Sequence, residues 1–405
     1  MKQNLMIHSA GFLILLFPTM LITVPDGGSV TLVLLLLVSA TGLFLNRNSV
    51  PLDNNEKLLL AAVAAYMLIY IFNIWFFNSK ISELDNTFRF LLLLPIFFYI
   101  RKIKLNPNYL YYGLLAGAVA CFAIAAYQKF YLDYSRSHGV TSIISFGGIS
   151  MTLAMMSFTM GLLSKTGYTK ILFFSGFILA TWASVLSGSR GTWLVLPSCL
   201  LLLFVINPQK WSLKTRVSAG LISLLMISAS YFLPVVQHRV DTALNEMNAY
   251  ITNNVANTSV GIRLDIWHAS IVTSTKHPAL GIGEGNFSNK MKLLSDQGLV
   301  DPYALNIAHV HNEYISALLH RGFPGLITLL LLFLIPLIAF SKALISEQGE
   351  HRILPAIGIM LVISSMTASL SDMFFSQHKY TLFYAGFIYL IYAFMRQRST
   401  APTRY

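Results

Sequence analysis

About a dozen apolar stretches, each long enough or nearly long enough to cross a bilayer, divide this chain almost from end to end. They lie at 9–24, 29–45, 58–77, 88–100, 109–131, 142–163, 170–187, 191–206, 217–235, 324–343, 353–373 and 380–395. A backbone inside lipid must satisfy its own hydrogen bonds, and runs of this length do so as helices. The expectation is therefore an all-α polytopic membrane protein with about 12 transmembrane helices. Composition agrees, since 55% of the residues are hydrophobic and only 11% charged, more apolar surface than a soluble core needs. In the fourth stretch Arg89 stands at the start and Pro95 inside, so a tilted or broken helix is expected there.

The formal charge of +12 is not a nucleic-acid footprint, because Lys and Arg are dispersed in short clusters between apolar runs. Their alternation reads as topology. Lys57, Arg101, Lys102, Lys104, Lys165, Lys170, Lys210, Lys214, Arg216, Lys342 and Arg352 fall on one side, together with both termini, and that side is expected to be cytoplasmic. Lys2 precedes an apolar stretch with no small-residue cleavage pattern after it, so the first segment is expected to span rather than to be a signal peptide. Cys121 and Cys199 lie inside apolar segments, which implies neither a disulfide framework nor a thiolate metal site.

One loop is long enough to form a soluble subdomain, and by the same alternation it is expected on the outer, periplasmic face. The chain then divides into membrane helices at 1–235, the loop at 236–323, and further membrane helices with a cytoplasmic C-terminus at 324–405. Within the loop Asp241–Tyr250 and Gly261–Thr275 have helical patterns, Asn253–Ser259 is a polar joint, Lys276–Pro278 ends a helix, and Gly281–Gly285 is a turn.

The polar cluster His309-Val310-His311-Asn312-Glu313 stands where this loop meets the apolar C-terminal third. An imidazole there can accept a proton from a hydroxyl, or Asn312 can simply cap a helix beside a solvated His309. Arg190, in Ser187–Trp193, is either a snorkelling anchor or a planar fork for phosphate oxygens. Arg263 lies near the start of a predicted helix whose N-terminus adds positive potential; the alternative is a surface pair with Asp265 or Glu284. Asp372 either orients a His or Arg or ends a helix, and Arg136 with His138 either holds a phosphate or glycan or is solvated. A zinc site built on His309, His311 and His320 lacks carboxylates at metalloprotease spacing and lacks thiolates, so no metal is expected.

The ordered set Ser189-Arg190-Gly191-Thr192, Gly261-Ile262-Arg263-Leu264, Pro278–Gly283, His311-Asn312-Glu313-Tyr314 and Gly322-Phe323-Pro324-Gly325 resembles the bacterial O-antigen ligase family. That family belongs to a wider group with O-antigen polymerases and protein O-oligosaccharyltransferases, and the resemblance covers about 187–372. It implies a GT-C-type glycosyltransferase of the bacterial inner membrane, working at the periplasmic face with inversion and without metal, nucleotide sugar or other cofactor. The implied partners are an undecaprenyl-diphosphate-linked glycan donor, a lipid A-core acceptor and membrane lipids, in lipopolysaccharide biosynthesis. Carried over by position, His311 is the general base, Arg190 and Arg263 bind the donor diphosphate, and His309, Asp372 and Arg136 support them. A polymerase or protein O-oligosaccharyltransferase would use the same donor. A lipid-linked glycan flippase, the rival of another class, would place its charges near the bilayer midplane.

Overall fold

The structure, a computed structural model, describes residues 2–46, 50–198, 234–253 and 255–399, and among them every regular element is helical. Three helices open the chain: α1 (Lys2–Thr23), α2 (Gly27–Leu45) and α3 (Asn54–Phe77). The last starts where Asp53 and Glu56 exchange side-chain and backbone hydrogen bonds, which satisfies two amide groups the first turn leaves without partners. Next come α4 (Asp85–Leu92) and α5 (Leu94–Ile100), so the expected break in the fourth stretch falls at Leu93, just before Pro95. Beyond them α6 (Asn108–Ala126) ends in a π-turn at Tyr127–Tyr131, followed by α7 (Ile143–Leu163), α8 (Gly167–Ser187) and a single helical turn, Arg190–Trp193. The remaining helices are α9 (Pro234–Asn253), α10 (Gly261–Lys276), α11 (Phe287–Asp296), α12 (Glu313–Ser346), α13 (Ile353–Ala368) and α14 (His378–Ser399).

Eight helices among the described residues are long and apolar enough to cross a membrane, namely α1, α2, α3, α6 with its π-turn, α7, α8, α12 and α13 with the turn before it. The twelfth stretch is helical and buried within α14, which is not one of those eight. Most of the eighth and ninth stretches, with Cys199, lies outside the described residues. Helices α7 and α13 are buried along most of their length and form the centre of the bundle. Around them α3 and α8 turn Trp75, Phe76, Ile171 and Trp182 outward, as lipid-facing helices do.

Charges gather at the two ends. At one end Arg101 pairs with Glu56 at 2.7 Å, both buried, and Arg396 approaches Asp53 and Lys165 approaches Glu350 at 3.8 Å each. These cations are ones the loop alternation places on a common side. The other end carries the long loop, which has a small core of its own in Ile262, Ile266, Phe287, Met291 and Val310.

That loop is bolted to α3. The Asn73 amide donates to the carbonyls of Leu280 at 2.9 Å and His320 at 3.0 Å and accepts from the Glu284 N–H at 3.1 Å. Beside it the buried Arg321 guanidinium pairs with Glu284 and lies 3.9 Å from the Tyr70 ring centroid.

The expected loop boundary at 323 falls at a bend within one helix, because helix already begins at Glu313. Asn312 caps it, and Gly322 (φ 64°, ψ −162°) breaks its axis just before Pro324, where the apolar run starts. The expectation placed the start of the span at the apolar run; the helix itself begins eleven residues before Pro324, at the Asn312 cap that was one reading of the polar cluster.

Candidate functional site

The chain leaves the 3-10 turn Pro302–Asn306 in extended form and reaches His309–Asn312. Asn312 does what the bland alternative expected: its Oδ1 accepts from the N–H groups of Tyr314 and Ile315, each at 3.0 Å. Its Nδ2 donates to the Leu370 carbonyl at 3.0 Å, which ties the cap to the segment after α13. One residue earlier, His311 has φ +56°, a left-handed conformation that costs a residue with a Cβ about 1–3 kcal/mol. Packing must hold it there. Trp267 on α10 contributes, its indole N–H donating to the Val310 carbonyl at 2.9 Å.

Asp372 is the centre of the cluster. It is only 2% exposed, and its Oδ1 accepts from His309 Nε2 at 3.2 Å, His311 Nδ1 at 3.1 Å and the Met373 N–H at 2.9 Å. The two imidazole centroids are 4.1 Å apart. Burial alone would raise the pKa of this carboxyl, but the hydrogen bonds and charges of His309 and His311 more than reverse it, holding it well below the usual carboxylate range. The helix-ending alternative for Asp372 does not hold, since α13 stops at Ala368. An anionic acceptor requires a proton on each facing nitrogen, so the neutral form of His311 that fits this contact has its proton on Nδ1 and its lone pair on Nε2.

The arginines approach from two sides. Arg263 is the third residue of α10, whose start is pinned by Glu246 accepting the Val260 N–H at 2.9 Å. Burial lowers its pKa, while nearby Asp372 and Glu246 act in the opposite direction. The alternative partners are engaged elsewhere: Asp265 accepts from Tyr250 Oη at 3.3 Å and Asp301 N–H at 2.9 Å, and Glu284 holds Arg321. Arg190 begins the turn after α8, which packs against the Asp372 segment so closely that a Cβ on Gly191 would sit 2.3 Å from Ser371 Cβ. Only glycine permits that approach.

Arg136 is a brace. Its Nε donates to the Ser187 carbonyl at 2.8 Å and one terminal nitrogen to that of Gly188 at 3.0 Å, fixing the end of α8 from which Arg190 emerges. That geometry replaces the solvated alternative. His320 lies apart from the cluster and bonds Ser316 in its own helix.

The carboxylate that the zinc alternative lacked at local spacing comes from far along the chain. One ligand atom from each of His309, His311 and Asp372 lies within 4.8 Å of the others, so a metal could be held by distance. The same atoms allow two arrangements: a metal would take the imidazole lone pairs at these nitrogens, whereas without one the nitrogens donate protons to Asp372 Oδ1. Sequence reasoning missed Trp267, Asn73 and Arg321. Trp267 looked like one more apolar residue of α10, whereas Asn73, an amide inside a spanning stretch, carried a readable signal.

By fold and site this is a polytopic integral membrane protein that gathers two histidines, an aspartate and two arginine-bearing segments at one end of a helical bundle. Residues 175–330 match the family model described as O-Antigen ligase, so that segment is similar to this family. The match contains Arg190, Arg263, His309 and His311 and stops before Asp372. An uncharacterized protein of Haemophilus influenzae is 24% identical over 388 residues, 95% of this chain and 97% of the relative. The O-antigen ligase of Escherichia coli K12 is 27% identical over 267 residues, 62% of this chain and 60% of that protein.

Proposed function

We propose that this protein is an O-antigen ligase, moving a glycan from undecaprenyl diphosphate to a sugar hydroxyl of lipid A-core at the periplasmic face of the inner membrane. The observation that carries this reading is the His311–Asp372 hydrogen bond of 3.1 Å, which engages Nδ1 and leaves Nε2 as the ring nitrogen for the acceptor hydroxyl. His311 Nε2 takes the proton of the acceptor hydroxyl as its oxygen attacks the anomeric carbon. The new C–O bond forms as the bond to the diphosphate breaks from the opposite face, inverting the centre and releasing undecaprenyl diphosphate. Arg190 and Arg263 stabilise the charge that grows on the leaving diphosphate, with the α10 N-terminus adding to Arg263. Asp372 fixes the tautomer and stabilises the imidazolium that forms. The family match over 175–330 supports the lipid-linked donor.

The test is transfer by purified protein from undecaprenyl-diphosphate O-antigen to lipid A-core, with EDTA present. His311→Ala is expected to lower the rate by about two to four orders of magnitude. Arg263→Ala should be severely impaired, with Arg263→Lys intermediate, because lysine keeps the charge but loses the fork. A chelator-sensitive wild type would overturn the metal-free chemistry. Lengthening of the glycan on its carrier, with lipid A-core untouched, would replace the ligase by a polymerase.

A further inference from the structure

Glu313 takes no part in the mechanism above, yet it is placed unusually. It opens α12, two residues after His311, and is only 2% exposed. A buried carboxylate is costly unless something satisfies it. Among the described residues no cation lies within ion-pairing distance, and Arg321, two turns further along the helix, is taken by Glu284. What Glu313 does hold is backbone: its Oε2 accepts the Phe375 N–H at 2.9 Å.

Phe375 lies three residues beyond Asp372, and the same segment is tied again at its start. The Glu313 N–H donates to the Ser369 carbonyl at 2.9 Å and Asn312 Nδ2 to that of Leu370 at 3.0 Å. The loop that presents Asp372 is thus fastened on both sides of the aspartate to residues 312 and 313, which directly continue the segment bearing His309 and His311. Histidines and aspartate share one anchor, although 61 residues separate His311 from Asp372.

We propose that Glu313 is a positioning residue whose carboxylate pins Phe375 and thereby sets Asp372 Oδ1 within reach of both histidines. A competing explanation is the helix dipole, since any acidic residue in a first turn is favourable there. The two differ in what matters: charge for the dipole, an acceptor at the right reach for the pin. Gln keeps acceptor and reach but loses charge; Asp keeps charge but falls short by one methylene.

The catalytic part of this inference rests on the proposed ligase reaction, so the experiment includes a readout independent of activity. Hydrogen–deuterium exchange of the full-length protein in nanodiscs should show faster exchange across 369–377 in Glu313→Ala and Glu313→Asp, with Glu313→Gln close to wild type and α7 unchanged in all. In the transfer assay the same two variants should lose kcat by about 10²-fold, the scale of an ångström's misplacement, while the KM for donor moves less than about twofold. Adding Glu313→Ala to Asp372→Asn should cost little beyond Asp372→Asn alone. Protected exchange in Glu313→Ala and Glu313→Asp, or Glu313→Gln as fast as Glu313→Ala, would sink the pin. If Glu313→Ala does not fold, Glu313→Asp against Glu313→Gln decides between reach and charge. A wild type that transfers nothing while the exchange pattern holds would remove the ligase reading and leave the pin standing.

Discussion

Two imidazoles sharing one carboxylate oxygen make Asp372 an anion that the fold needs as well as the chemistry. Its pKa is depressed in the folded protein by His309 and His311 against the pull of burial. A depressed folded pKa means stability that is fully present above the unfolded value of about 3.9 and is lost as pH falls through the lower folded value. The difference in thermal midpoint between wild type and Asp372→Asn should therefore persist down to about pH 4 and close below that. Unfolding followed by tryptophan fluorescence in detergent reads it, and a gap already gone at pH 6 would place the effect elsewhere. At this scale the sequence offered the right residue types but not their assembly. His311 and Arg263 could be singled out by charge in unlikely surroundings, whereas the pairing of Asp372 with both histidines depends on where α13 ends and on the pins at Asn312 and Glu313. Arg136 was read as a ligand or a solvated residue, and no pattern foretold that its guanidinium would meet the two carbonyls ending α8.

At the scale of elements, the bend in α12 is what lets one helix serve both the loop and the membrane. Gly322 has φ 64° and ψ −162°, a region essentially reserved for glycine, and a Cβ there would lie 2.4 Å from the Pro278 carbonyl oxygen. That neighbour is backbone, held in place because the Phe323 N–H donates to it at 2.8 Å. Gly322→Ala should accordingly destabilise by at least about 1–3 kcal/mol, the ordinary cost of such a conformation. Denaturation in detergent measures it, and a loss within about 0.5 kcal/mol, the range of a neutral surface change, would mean that the bend is not required. Spanning elements were legible because bilayer length is a strict ruler, and the break at Leu93 was legible because proline lacks the N–H a helix needs. The start of α12 was legible as one of two readings, the Asn312 cap, but its bond to Leu370 across 58 residues was not.

Over the whole molecule the charges sort into two ends, and this sorting decides on which side of the membrane the reaction can occur. Arg101, Lys165 and Arg396 meet acidic partners at one end, while the histidines, Asp372 and the loop helices occupy the other. The excess of positive charge in short loops predicts that the first end faces the cytoplasm. Two exposed positions test the assignment, Ser288 on α11 and Gln348 just beyond α12. With Cys121 and Cys199 both replaced by serine, Ser288→Cys should react with a membrane-impermeant maleimide in intact spheroplasts, and Gln348→Cys only after lysis. The reverse pattern would put the histidine cluster in the cytoplasm, beyond the reach of a periplasmic acceptor, and the proposed transfer would fall with it. Labelling at Ser288 alone would instead put the segments bearing Arg190, Arg263 and His311 on the face where the proposed reaction needs its two lipid-anchored substrates. There a polyprenyl tail can remain in the bilayer while its diphosphate meets the arginines at the interface, so that donor and acceptor need only diffuse in two dimensions to meet.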